Sequence, residues 1–192
     1  HHPALFTAVK SLDYRSPSDA VMMKLIRNGI SLYAAHTTFD KAAGGINDML
    51  ANTLALRDVR IAPGPDSGLM RIGFLPEPMK SDDFLGYVKR VLAADVLRVS
   101  RRQGHLVHTV AVLGGSGGDF AAAAKAAGAD ALVTGEAKHH HFLDAASYGI
   151  LLVEAGHYAT EHGFADEIFM SLQSSLNELQ LHLDLKKAEC EK

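Results

Sequence analysis

One cysteine, Cys190, and no tryptophan occur in the 192 residues. A lone thiol cannot close an intrachain bridge, so a disulfide framework is excluded and the cytoplasm is the expected compartment. No apolar run reaches the length of about 18 residues that a membrane-spanning helix requires, and no membrane partner is expected. Charge of one sign is equally scarce. The 19 basic and 22 acidic residues leave a net charge of -3. There is no basic stripe of the kind that tracks a phosphate backbone, so nucleic acid is not an expected partner. Internal repeats and low-complexity tracts are absent, and the alanine run 121–124 reads as helix filler. What remains is ordinary globular composition, 47% apolar and 21% charged. It suffices for one sizeable core or two small lobes.

Proline is sparse, and the strongest breaker cluster is Ala62-Pro63-Gly64-Pro65-Asp66-Ser67-Gly68. It reads as the connection between an N-terminal lobe, 1–62, and a C-terminal lobe, 69–192. Before it, Ser16-Pro17 opens a helix to about Arg27, Ile30 to Ala35 reads as a strand, and Lys41 to Leu56 as a helix despite Gly44-Gly45. After it, strands are expected at Met70–Leu75, Val96–Val99, Leu106–Leu113, Ala131–Thr134 and Ile150–Val153. Helices are expected from Ser81 to Leu92, Phe120 to Ala127, His139 to Ser147 and Thr160 to Leu179. Residues Leu179 to Leu185 alternate and are expected to close the sheet. Such strand–helix alternation predicts an α/β fold, two α/β lobes with largely parallel or mixed sheets. Gly114-Gly115-Ser116-Gly117-Gly118 stands between a strand and a helix. It reads either as a phosphate cradle at a helix start or as a tight turn that needs glycine.

Histidine is abundant, with 11 residues. In Gly156-His157-Tyr158-Ala159-Thr160-Glu161, His157 and Glu161 lie four apart, so a helix places them on one face. The preceding apolar run puts this pair at the C-terminal edge of a sheet, where open α/β folds hold their sites. Two further places carry ligand-type residues, His1-His2-Pro3 and His36-Thr37-Thr38-Phe39-Asp40. Imidazole with carboxylate suits zinc, iron or manganese without any thiolate. Each has a plainer reading. His1-His2 fits an affinity-tag remnant, Asp40 fits a helix start, and His157 with Glu161 fits a solvated face.

These motifs, with Gly44-Gly45-Ile46-Asn47-Asp48 and Thr134-Gly135-Glu136-Ala137-Lys138-His139-His140, occur in one order. The series resembles the Nif-three-like family, the GTP cyclohydrolase type 2 homologues, across nearly the whole chain. The resemblance implies a dinuclear centre of two divalent ions (Zn, Fe or Mn) held by His1, His2, Asp40, His157 and Glu161 in a cleft between the lobes. It implies roles in catalysis for His36, Glu136 and His140. His36 is either an orienting partner of Asp40 or a general acid or base. Thr38 replaces a usual Asn, and Glu136 a frequent Asp. Family members carry a strand-helix-strand stretch before His-His-Pro, so this sequence is expected to be an excerpt or a processed form of a longer protein. The resemblance further implies a hydrolase acting on a nucleotide or related purine or phosphoester as its small-molecule substrate, assembled as a homohexamer. The alternative is a metal-binding scaffold or carrier that mediates protein interaction.

Overall fold

The computed structural model describes residues 1–66, 68–100 and 104–188. Cys190 and Ser67 of the breaker cluster lie outside the described residues. The chain divides into two compact units, His1–Phe39 and Asp40–Lys192.

In the first unit, helix α1 spans Pro17–Arg27. Proline at its first turn has its backbone angle preset, and it lacks only an N–H that would bond nothing there. The helix ends where Gly29 takes φ +62°, and the Ile30 N–H returns to Leu25 O at 3.0 Å. The strand expected over 30–35 does not form. Ile30, Leu32 and Tyr33 are 56%, 57% and 84% exposed. An apolar run becomes a strand only where a neighbour takes its N–H and C=O groups. None of residues 1–39 is buried. Helix α2, Thr37–Lys41, runs across the boundary between the units.

In the second unit, the helix expected over 41–56 is interrupted, because Gly44 takes φ +73°. Helix α3 starts afresh at Ile46 and spans Ile46–Thr53. The later elements are β1 (Arg57–Ile61), β2 (Arg71–Lys80), α4 (Ser81–Val91), β3 (Arg98–Val99), β4 (Leu106–Ser116), α5 (Ala121–Ala126), β5 (Ala131–Glu136), α6 (His139–Tyr148), β6 (Leu151–Glu154), α7 (His157–Glu161) and α8 (Phe164–Glu178). The sheet is mixed, in the order β1-β2-β4-β5-β6-β3. Its two central pairings, β4 with β5 and β5 with β6, are parallel. The pairings of β1 with β2, β2 with β4 and β3 with β6 are antiparallel, so of the two expected forms, largely parallel or mixed, the sheet takes the mixed one.

Alternate residues of the central strands feed opposite cores, as the two-residue period of a strand requires. Val110, Val112, Val133 and Val153 share a core with Leu50 of α3, Leu54 just beyond it, and Phe84 and Val88 of α4. Ala111, Leu113, Leu132 and Leu152 face Ala121, Ala124 and Ala145 of α5 and α6. Strands buried on both faces read as unbroken apolar runs.

Three further departures have local causes. Strand β2 continues past Leu75 through Pro76 and Pro78, where its register with β4 shifts, because proline cannot donate to the ladder. The helix expected over 160–179 is two helices, broken at His162-Gly163. A side chain on Gly163 would start 2.8 Å from Met49 Cε. No strand forms over 179–185, and Gln180 turns the chain out of α8 at φ +56°. Among the described residues no helix is long and apolar enough to cross a membrane.

Candidate functional site

The C-terminal ends of β4 and β5, with α7 after β6, gather the second unit's donors. Gly156, at φ +96°, turns the chain from β6 into α7, and His157 opens that helix. His157 Nδ1 lies 2.8 Å from Glu136 Oε1 at the end of β5, and its Nε2 lies 3.1 Å from Glu161 Oε2. Asp40 and Glu161 offer carboxylate oxygens within 4.8 Å of each other.

An imidazole facing carboxylates at both nitrogens has a definite requirement. Neutral imidazole carries one N–H, so one of the two contacts needs a cation, either a second proton or a metal ion. Glu136 on Nδ1 is the arrangement that leaves Nε2 as a ligand, with the carboxylate orienting the ring. Glu161, only 11% exposed at its side chain, and Asp40 add oxygen donors of the type that zinc, iron and manganese accept. The donor set therefore fits a divalent ion.

Buried polar residues fix this geometry. Asn47, 1% exposed, donates from Nδ2 to Asp40 O at 3.1 Å and accepts the Gly114 N–H at 2.7 Å. Arg71, 3% exposed, pairs with Asp48 and donates to Gly68 O, Lys41 O and Ala42 O. It thereby pins the segment that follows Asp40. Thr160 Oγ1 accepts the Gly115 N–H at 3.3 Å and donates to His157 O at 2.9 Å, which ties α7 to the glycine turn.

That turn presses on the site. Gly115 has φ +62°, and a Cβ there would lie 2.6 Å from Glu161 Oε1. The amides of Gly114, Gly115 and Gly117 are committed to Asn47, Thr160 and Thr134. Those three donors are withdrawn from a phosphate cradle, and the tight-turn reading gains.

In the first unit, His1, His2 and His36 each offer a ring nitrogen, all within 4.8 Å of one another. Their ring centroids are 5.0 to 5.4 Å apart. His1 Nδ1 stands 2.8 Å from Ala35 O. A carbonyl only accepts, so Nδ1 donates, and in the neutral ring Nε2 is the nitrogen that can serve as a ligand. His36 stands within 0.4 Å of the same ring separation from His1 and His2 as those two have from each other.

His140 falls in a third group, with Asp119 and His141. His140 is exposed, whereas His141 is 5% exposed. His141 Nδ1 accepts the Lys138 N–H at 3.1 Å. Its Nε2 therefore carries the proton toward Asp119 Oδ1, 2.7 Å away. His141, Asp119, Thr160 and Asn47 were not among the expected site residues. Only the placing of Thr160 between His157 and Glu161, and of Asn47 in a quoted motif, pointed toward them.

The family described as Duf34/NIF3 (NGG1p interacting factor 3) matches residues 1–192. A Nostoc sp. protein named GTP cyclohydrolase 1 type 2 homolog is 36% identical over 187 residues, which is 95% of this chain and 69% of that protein. NIF3-like protein 1 of Drosophila melanogaster is 28% identical, over 93% of this chain and 62% of its own length. Among solved structures, a Bacillus cereus protein related to NIF3 superposes with TM-score 0.91 at 22% identity, covering all of this chain and 80% of its own. Reduced HcgD from Methanocaldococcus jannaschii gives 0.74 at 28% identity, over 92% of this chain and 69% of its own.

Proposed function

The chain belongs to the Duf34/NIF3 family, and from that premise we propose that it is a metal-dependent hydrolase acting on a purine nucleotide or related phosphoester. His1, His2, Asp40, His157 and Glu161 supply the ligands for two divalent ions. The observation that supports this reading is His157 between Glu136 and Glu161, a position that either a second proton or a metal ion would satisfy and whose oxygen and nitrogen donors suit a divalent ion. Bound there, the ions supply Lewis acidity and an activated water. The residues do the rest. Glu136 accepts the hydrogen bond from Nδ1–H and fixes the ring of His157, Gly115 leaves the space that Glu161 occupies, and Thr160 ties the start of α7 to the glycine turn. His36 is the candidate to hold or move a proton beside the ligands, and His140 is a second candidate for proton transfer. The finer reading adds two lobes flanking the centre, a homohexamer and a cytoplasmic location, all from family resemblance. Light scattering tests the hexamer, and a monomer counts against it.

The family description, which includes NGG1p interacting factor 3, favours a second reading, a metal-binding scaffold that mediates protein interaction. Metal analysis of freshly purified chain, with a nucleotide panel in Mn²⁺, Fe²⁺ and Zn²⁺, separates the two. Turnover that depends on metal supports the hydrolase. Bound metal without turnover across the panel favours the scaffold. A chain that binds none of the three ions fits neither.

A further inference from the structure

Thr134 stands near the C-terminal end of β5, and its side chain is fully buried. Beside it the parallel pairing of β4 with β5 changes register, between Leu113 opposite Thr134 and Ser116 opposite Glu136. Over that interval β4 advances three residues while β5 advances two, so β4 carries one extra residue. Bulges are rare in parallel pairs, and beside active sites they re-aim the chain. Gly115, at φ +62°, makes the left-handed turn within this one.

A single hydroxyl spans the bulge. Thr134 Oγ1 accepts the Gly117 N–H at 2.9 Å and donates to Gly115 O at 3.1 Å. Gly115 in turn gives its N–H to Thr160 Oγ1, whose O–H donates to His157 O. A line of four hydrogen bonds thus runs from the bulge to the backbone of His157. The space around it is closed. A Cβ on Gly117 would lie 2.5 Å from Thr134 Oγ1, and one on Gly135 would lie 2.8 Å from Gly115 O and 3.0 Å from His157 Cα. Gly115 also borders the candidate ligands, since a Cβ there would lie 2.6 Å from Glu161 Oε1 and 3.4 Å from His157 Nε2. Where the turn sits therefore limits where Glu161 and His157 meet. We propose that Thr134 is a positioning residue, whose hydroxyl holds the β4 bulge and through Gly115 sets the approach of Glu161 to His157. The inference rests on the ligand reading of that pair, and it adds the group that fixes their spacing. Valine has nearly the shape of threonine but neither donates nor accepts. In Thr134→Val the Gly117 N–H and the Gly115 carbonyl lose a buried partner, and the turn must move to recover one.

Titration of the full chain with Zn²⁺ against a competing chelator tests this without any turnover. Thr134→Val should weaken Zn²⁺ binding about 10- to 100-fold, the usual effect of losing a group outside the ligand set, and Thr134→Ser should recover most of it. Ser100 supplies the control. It is 2% exposed and makes the same pair of bonds between β3 and β6, donating to Ile150 O at 3.1 Å and accepting the Leu152 N–H at 2.9 Å. Ser100→Ala should lower the urea midpoint and leave Zn²⁺ affinity unchanged. In the metal-free chain, NMR should show a proton–proton contact between Gly115 Hα and His157 Hε1, because a Gly115 Cβ would lie 3.6 Å from His157 Cε1. Thr134→Val should lose that contact and Ser100→Ala should keep it. Circular dichroism checks folding, and Thr134→Ala takes the place of the valine variant if that one does not fold. Unchanged Zn²⁺ affinity or an unchanged contact in Thr134→Val overturns the proposal. So does an equal loss of affinity in Ser100→Ala, or no recovery in Thr134→Ser. A wild-type chain that binds no Zn²⁺, Mn²⁺ or Fe²⁺ removes the ligand reading instead, and the NMR contact alone then decides the role of Thr134.

Discussion

Replacing Glu161 with glutamine keeps side-chain length and helix propensity but removes the charge that offsets two dications. On the proposed ligand set, Glu161→Gln should therefore dismantle the centre. His36→Ala should cost only about 10- to 100-fold in metal affinity or rate, the usual effect of losing a partner outside the ligand set. Bound metal per chain and hydrolytic rate, measured on both variants, decide this. Two retained ions and a near-full rate in Glu161→Gln would remove Glu161 from the ligand set. A His36 variant that keeps its metals yet loses all turnover would instead make His36 the proton-transfer group. Glu136 calls for a separate experiment, because it lies 2.8 Å from His157 Nδ1 and acts on the ring rather than on the ion. Glu136→Ala should weaken metal binding about 10- to 100-fold, with Glu136→Gln recovering part of the loss since its amide oxygen still accepts. Nitrogen NMR of His157 should show the proton moving off Nδ1 in the alanine variant. An unchanged tautomer there would leave Glu136 without an orienting role.

Helices α3 and α4 end in the same way, and their ends can be improved. Leu56 N–H returns to Ala51 O, and Ala94 N–H to Lys89 O. The turning residue in each is alanine, Ala55 at φ +50° and Ala93 at φ +48°. Glycine ordinarily takes this left-handed position, where a Cβ costs about 1–2 kcal/mol. Ala55 is exposed, so Ala55→Gly should raise stability by about 1 kcal/mol after glycine's greater freedom in the unfolded chain is subtracted. Urea denaturation reads the change, and a lower midpoint would contradict it. These helix ends carry no glycine signal, yet most elements were legible. Val110 to Leu113, Ala131 to Val133 and Leu151 to Val153 announce strands because burial on both faces leaves no polar alternation. Strand β1 was hidden. Arg57-Asp58-Val59-Arg60-Ile61 is a polar edge strand, exposed except at half-buried Val59 and held by its pairing with β2, with Asp58 in a bulge at φ +50°. Residues 30–35 misled in the opposite sense, since their apolar pattern has no strand beside it.

At the scale of the whole molecule, the candidate ligands were legible while their supports were not. His157 and Glu161 are paired by helical spacing, which a sequence displays. Asn47 acts through Gly114, 67 residues later, and no local pattern encodes that partnership. The same scale exposes a difference between the units. The second holds cores on both faces of its sheet. The first has no buried residue, and its His1, His2 and His36 are grouped at its start and end. A short segment without a core gains order from staples, and a metal ion is one of them. If the first unit's histidines serve the proposed centre, metal should stabilise residues 1–39 selectively. At a free ion concentration 100 times the Kd, binding adds about 2.7 kcal/mol, which slows hydrogen exchange through local opening about a hundredfold. Exchange measured with saturating Zn²⁺ and with chelator should differ by that order within α1 and around His36, while β4 to β6 change little. His2→Ala should abolish the difference. Equal protection of residues 1–39 with and without metal would show that these histidines do not share the ions. Protection rising equally in β4 to β6 would mean that metal stabilises the fold globally instead of ordering its first unit.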